Sequence, residues 1–225
     1  MDLMINLTEK TIGLFSKKTK GKILQESLLL FNEQTFNQTT TANIAKSSDV
    51  LEGSLWYHFK SKKDLLVEHI KLFQSSFETN IENLKVGDKK IVIQKLLSIY
   101  GFVWDFRYIF RDSFDSYEKD DKKLADLIKK TNALLDELIE DVLKYSVEIK
   151  IIEVDSNDLE EIGELVLIIG KHWLDYSRKK YPEDSDHLLQ KKGINLLIKV
   201  LYPYLTKDSK EIMDSIYESV WTIDC

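Results

Sequence analysis

The charged and metal-ligating side chains of this 225-residue chain are 38 Asp and Glu, 32 Lys and Arg, four His and one Cys. No Glu-x-x-His pair, glycine-rich phosphate loop or nucleophile motif occurs, so no enzyme activity is expected. Lone His69 and His187 build no metal site, and no cysteine cluster exists to hold zinc. Neither a metal nor another cofactor is therefore expected. Cys225 has no partner for a disulfide within the chain, and a lone thiol there is expected to be incidental.

What remains is charge. The net charge of −6 taken whole argues against a nucleic-acid partner. Divided along the chain it says the opposite. Residues 16–63 hold eight lysines against four carboxylates, a local excess of +4, while the chain beyond residue 65 is acidic. A small basic head on an acidic body points to nucleic acid at the head.

The elements that position these charges are helical. Eight Gly and two Pro are too few for the turns of a sandwich, barrel or propeller, or for a doubly wound sheet. An all-α fold of about nine to ten helices is expected. Apolar spacing places helices at 20–33, from Thr39–Thr41 to about Ser48, and from Glu52 to His58. A long one runs from Lys62 to about Lys85, N-capped by Ser61 with Asp64 in its first turn. Further helices are expected from Lys89 to Arg107, on to Tyr117, and over Lys122–Lys150. Three more cover 156–180, 184–202 and 207–221. The early helices are short and tightly joined and the later ones long and bundle-like, which suggests domains at 1–66 and 67–225. No signal peptide is expected, no apolar run is long enough for a membrane span, and a cytoplasmic protein is the default.

A short helix, a tight turn and a second short helix make a helix-turn-helix. Here Ile44 and Ala45 face the crossing, Val50 and Leu55 fill the angle, and Asp49 takes the turn position, where a positive φ is often needed. The segment resembles the DNA-binding region of the tetracycline-repressor (TetR) family, whose pattern reads roughly T-x-x-x-I-A-x-x-x-G-V-S-x-G-x-L-Y-x-H-F-x-x-K-x-x-L. Thr40, Ile44, Ala45, Val50, Gly53, Leu55, His58, Phe59, Lys62 and Leu65 stand in register. Three positions depart: Asp49 for the turn Gly, Leu51 for the Ser cap and Trp56 for Tyr. The resemblance covers residues 18–66. More weakly, Phe110-Arg111-Asp112 and Leu201–Thr206 look like one bacterial C-terminal domain class of that family.

The resemblance implies a three-helix reading head and a larger helical bundle that binds ligand and dimerises. It puts the Glu52–His58 helix in the major groove. Ser54 and Tyr57, with Thr41 and Asn43, would read bases, and Glu52 is equally a base reader or a dipole-favoured charge. Thr40, Trp56, His58, Lys62, Lys20 and Lys22 would contact phosphates of double-stranded DNA. A homodimer on paired half-sites is expected, its interface drawn from Ile162, Val166, Ile169, Gly170 and Trp173, and from Gly193, Leu196, Leu197 and Val200. A small apolar or aromatic ligand would meet Phe102, Phe106, Phe110, His172, Trp173 and Tyr176. The expected function is a ligand-responsive repressor on a palindromic operator. The three departures leave open a helical interaction module with a degenerate head.

Overall fold

The structure, a computed structural model, describes residues 7–82, 84 and 87–221. Cys225 and the expected helix end at Lys85 lie outside them. Among the described residues the chain is all-α. Its helices are α1 (Glu9–Ile12), α2 (Thr19–Gln34), α3 (Thr41–Ser47), α4 (Glu52–His58), α5 (Lys62–Glu82) and α6 (Lys89–Asp105). They continue as α7 (Tyr108–Arg111), α8 (Asp115–Asp120), α9 (Lys122–Glu148), α10 (Ser156–Lys180), α11 (Asp186–Leu201) and α12 (Lys207–Trp221). These twelve exceed the nine to ten expected, because α1 precedes the first periodic segment and the aromatic run is broken into α7 and α8. Asp112, extended at ψ 147°, makes that break.

Two compact units divide the chain. One comprises the chain up to Glu78, with Gly101–Asn132 and Ser185–His187. The other comprises Thr79–Tyr100, Ala133–Asp184 and the chain from Leu188. The first unit extends past the motif's end at residue 66 because α5 continues as a row of rings. Phe73 stacks on Phe77 and Phe102 at centroid distances of 4.9 and 5.4 Å, and meets Phe106 and Phe110 edge-on.

Within the first unit, α2 is the helix on which α3 and α4 are built. Ile23, Leu28, Phe31, Ile44 and Leu55 are fully buried, with Ala45 nearly so, as the crossing of short helices requires. The C-terminal end of α2 is fixed by polar groups. Arg111 donates to the carbonyls of Phe31 and Asn32, both at 2.7 Å, and its Nε pairs with Asp112 at 2.7 Å. The other Asp112 oxygen accepts the Phe36 N–H at 2.6 Å. Buried Asn32 donates to the Asp105 carbonyl at 2.7 Å and accepts the Tyr108 N–H at 3.2 Å.

A second buried link joins α2, α5 and α7. His69 Nε2 lies 2.9 Å from the Leu24 carbonyl, so it carries the proton, and Nδ1 accepts from the Tyr108 hydroxyl at 2.8 Å. The imidazole is therefore neutral. Burial pushes its pKa from 6.5 down to about 4.

The second unit has its own core. Leu135, Leu138, Leu143, Ile162, Val166, Trp173, Leu174 and Leu189 are buried, and Trp173 Nε1 donates to the Leu189 carbonyl at 2.8 Å. A Cβ on Gly193 would fall 2.1 Å from Tyr100 Oη and 2.6 Å from Trp173 Cδ1, so only glycine allows α11 this approach. One antiparallel bridge, Ile152 to Leu205, ties two connections of this unit.

The buried imidazole gives the fold a pH dependence. The unfolded chain takes up a proton on His69 near pH 6.5, whereas the folded chain resists until about pH 4. This contribution is complete above pH 6.5 and falls by about 1.4 kcal/mol per unit as pH drops toward 4. Denaturant unfolding of wild type and His69→Phe between pH 7 and 4 will show the steeper acid loss in wild type. Parallel profiles would contradict the assignment.

Candidate nucleic-acid interface

The α3–α4 pair is set by its caps and its turn. Thr40 caps α3, its Oγ1 accepting the Asn43 N–H at 3.1 Å while also bonding the Asn43 side chain. Of the expected Thr39–Thr41 cap candidates, Thr40 is therefore the one used. Thr39 instead turns its hydroxyl back to the Thr35 carbonyl at 2.8 Å. At the other end of α3 the Val50 N–H bonds the Ala45 carbonyl and the Asp49 N–H bonds the Lys46 carbonyl, at 3.0 and 3.1 Å. That crossed pair is a Schellman motif. Asp49 supplies its left-handed residue at φ 54°, a conformation that Asp tolerates better than most non-glycine residues. The substitution of the turn glycine is thus accommodated.

Helix α4 starts at Leu51 with no side-chain cap, as the missing Ser implies. Its one fully buried residue, Leu55, holds it to the unit, and Phe59 leaves the helix in extended conformation at φ −137°. The start of α5 follows the expected pattern. Asp64 N–H lies 3.3 Å from Ser61 Oγ, and the Asp64 carboxylate accepts the backbone N–H groups of Lys60 and Ser61 at 2.7 and 3.1 Å.

These elements leave a polar face on the α3–α4 pair. Tyr57 is 78% exposed and Trp56 39%, Asn43 is exposed, and Thr41, Ser54 and His58 are half-buried. Lys20 and Lys22 are exposed, and Lys46 and Lys60 add to the positive surface. Their acidic neighbours are loosely placed: Glu68 lies 3.3 Å from Lys20 and Asp49 lies 3.9 Å from Lys22. Pairs this exposed contribute little and exchange readily for another anion. Exposed Ala42, Leu51 and Gly53, none of them among the expected DNA-contacting residues, share the same helix starts. Their lack of polar groups hid them.

Lys62, expected to contact phosphate, has its side chain engaged within the chain. Its ammonium donates to the Phe36 and Thr39 carbonyls, both at 2.8 Å, and sits 4.8 Å from the Phe36 ring centroid. Burial lowers its pKa from the ordinary lysine value. Lys62 fixes the connection between α2 and α3, and no local sequence signal marks a bond across 26 residues.

The expected ligand and interface residues are distributed as follows. Phe102 and Phe106 are buried in the ring stack on Phe73, and Phe110 is half-buried beside it. In the second unit Trp173 is buried, whereas His172 and Tyr176 are exposed. Of the expected interface residues, Ile162, Val166, Trp173 and Gly193 are spent on the chain's own core. Ile169, Gly170, Leu196, Leu197 and Val200 are half-buried. The outward stripe of α10 is instead Leu165, Ile168, His172 and Tyr176. Apolar residues line both sides of this helix, so periodicity could not tell which side the chain keeps for itself.

A family model described as "Bacterial regulatory proteins, tetR family" matches residues 23–68, and another, "Bacterial transcriptional repressor", matches residues 73–213. The chain is similar to the biofilm operon icaADBC HTH-type negative transcriptional regulator IcaR of Staphylococcus aureus. The two are 32% identical over 93 residues, which are 40% of this chain and 50% of IcaR. It is also similar to the HTH-type transcriptional regulator QacR of the same organism, at 39% identity over 59 residues, 26% of this chain and 31% of QacR. These matches span half or less of each relative. A TetR-family transcriptional regulator from Marinobacter aquaeolei VT8 shares the fold, with a TM-score of 0.67 at 23% identity over 90% of this chain and 98% of that one. Among the described residues no helix is long and apolar enough to cross a membrane.

Replacing Lys62 by Met keeps the apolar stem and removes two charge-assisted hydrogen bonds. Thermal or urea unfolding of Lys62→Met will show a loss of about 2 kcal/mol. Unchanged stability would contradict the carbonyl-bound role.

Proposed function

The chain belongs to the tetR family of bacterial regulatory proteins, and on that premise we propose that it is a transcriptional repressor that reads a palindromic operator as a homodimer. The observation that carries this reading is the α3–α4 pair, whose turn and buried side chains are complete while its outer face is left polar, aromatic and basic. The head up to residue 66 reads DNA and the remainder regulates and dimerises. Thr41, Asn43, Ser54 and Tyr57 contact base edges, and Thr40, Trp56, His58, Lys20 and Lys22 contact phosphates. Such a protein works in the cytoplasm, where its operator is. The alternative of a degenerate head loses its main support, because the turn accommodates Asp49 and α4 forms without its cap.

The dimer surface is proposed on the outward side of α10, at Leu165, Ile168, His172 and Tyr176. Ile168 and Tyr176 are 54% and 53% exposed, and burying such apolar area against a second copy is favourable. The ligand is proposed to be small and apolar or aromatic. One wedging into the ring stack around Phe73 would press on α7, whose Arg111 and neighbouring Asp112 hold the end of α2. Such a ligand releases DNA only by binding better to the conformation that DNA disfavours.

Two measurements test this. Duplexes enriched from a random pool by the full chain will bind with steep salt dependence. Lys20→Ala and Lys22→Ala will each flatten the log Kd against log salt slope by about 0.9 per subunit. Lys62→Met will weaken binding with the slope unchanged. Binding indifferent to sequence or salt would contradict the DNA-reading proposal. Sedimentation of Ile168→Asp will show a monomer at concentrations where wild type is dimeric, and a persistent dimer would remove α10 from the interface.

A further inference from the structure

We infer that Leu51 reads the C5-methyl group of a thymine in each operator half-site, at a closeness of approach that Gly53 permits; this rests on the DNA-reading proposal above. Leu51 is 82% exposed, the highest value among the large apolar side chains of the described residues. It stands at the N-cap of α4, where a side-chain oxygen would satisfy a backbone N–H, and it supplies none. Within the free chain it neither caps nor packs. Its backbone is nonetheless held, since its carbonyl accepts from Ser54 and Leu55 at 2.9 and 3.2 Å. The side chain therefore projects from a fixed point.

Gly53, two residues on, is equally unexplained by the fold. It lies within a helix, without a positive φ, and beyond its chain neighbours and the helix's own backbone no heavy atom among the described residues falls within 4 Å of a Cβ built there. Alanine would fit and would favour the helix. Two neighbouring positions are thus each worse for the isolated chain than a simple alternative. A surface that comes close to the first turn of α4 accounts for both. It closes over Leu51, and it leaves no room for a side chain at 53.

That surface is a base edge rather than a phosphate. A phosphate demands donors, which Leu51 lacks, and is repelled by the exposed Glu52 carboxylate between the two positions. In the major groove the one apolar feature on the base edges is the thymine methyl.

The test uses the full chain and duplexes it enriches from a random pool, with each thymine replaced in turn by deoxyuridine, which lacks only the methyl. At one thymine per half-site the replacement will weaken wild-type binding about fourfold, the equivalent of uncovering one methyl group, and about fifteenfold when made in both half-sites. Leu51→Ala, which removes an exposed side chain and so leaves folding intact, will bind the thymine and deoxyuridine duplexes equally. Gly53→Ala will raise the melting temperature yet weaken DNA binding. Equal wild-type binding to the two duplexes at every position, or discrimination retained in Leu51→Ala, would overturn this inference while the DNA-reading proposal stood. Unchanged DNA affinity of Gly53→Ala would overturn the close approach. Failure to enrich any duplex would overturn both the inference and the reading on which it rests.

Discussion

The buried pairing of Arg111 with Asp112 at the end of α2 is the constraint from which the reading head is built. The last carbonyls of a helix have no intrahelical partners and carry the negative end of its dipole, so a guanidinium is well placed against them. Arg111 takes two last-turn carbonyls, that of Phe31, which also accepts the Thr35 N–H, and that of Asn32, and Asp112 takes both Arg111 and the Phe36 N–H. From there each element fixes the next. Lys62 holds the carbonyls on either side of the connection, Thr40 caps α3, and the Schellman motif at Asp49 directs the chain into α4. Breaking a buried ion pair by removing one partner typically costs about 3–5 kcal/mol, far more than any single cap in this series. The geometry of α3 and α4 thus depends on residues more than 50 positions away in sequence.

Much of this was legible in the sequence, for identifiable reasons. Ile44, Ala45, Leu55 and Leu65 stand in register with the helix-turn-helix pattern, and all four are buried. Ser61 and Asp64 announced the start of α5, and Asp49 was recognisable as a residue able to hold a positive φ. Local signals of this kind concern neighbours within one or two turns. Arg111 and Asp112 were visible as a motif but not as a clamp, because their partners lie on α2 and in the connection that follows it. His69 read as a lone histidine, and only the fold brings Leu24 and Tyr108 to its two ring nitrogens.

The outer surfaces were harder to read than the core. On α10 the stripe through Ile162, Val166 and Trp173 has the same period as the one through Leu165, Ile168, His172 and Tyr176, and only the first is buried by the chain itself. On α4 the polar residues drew attention and the apolar ones did not. Yet an exposed leucine and a helical glycine with open space beside it are informative because they gain nothing from the fold. Likewise, a net charge of −6 hides a basic head until it is divided along the chain.

The central claim is that the chain meets DNA through the outer face of α3 and α4. Amide hydrogen exchange on the full chain, with and without a duplex it has enriched from a random pool, tests this most directly. Slowed exchange is expected, concentrated in residues 40–58. Slowing confined to α9–α12, with residues 40–58 unchanged, would contradict it.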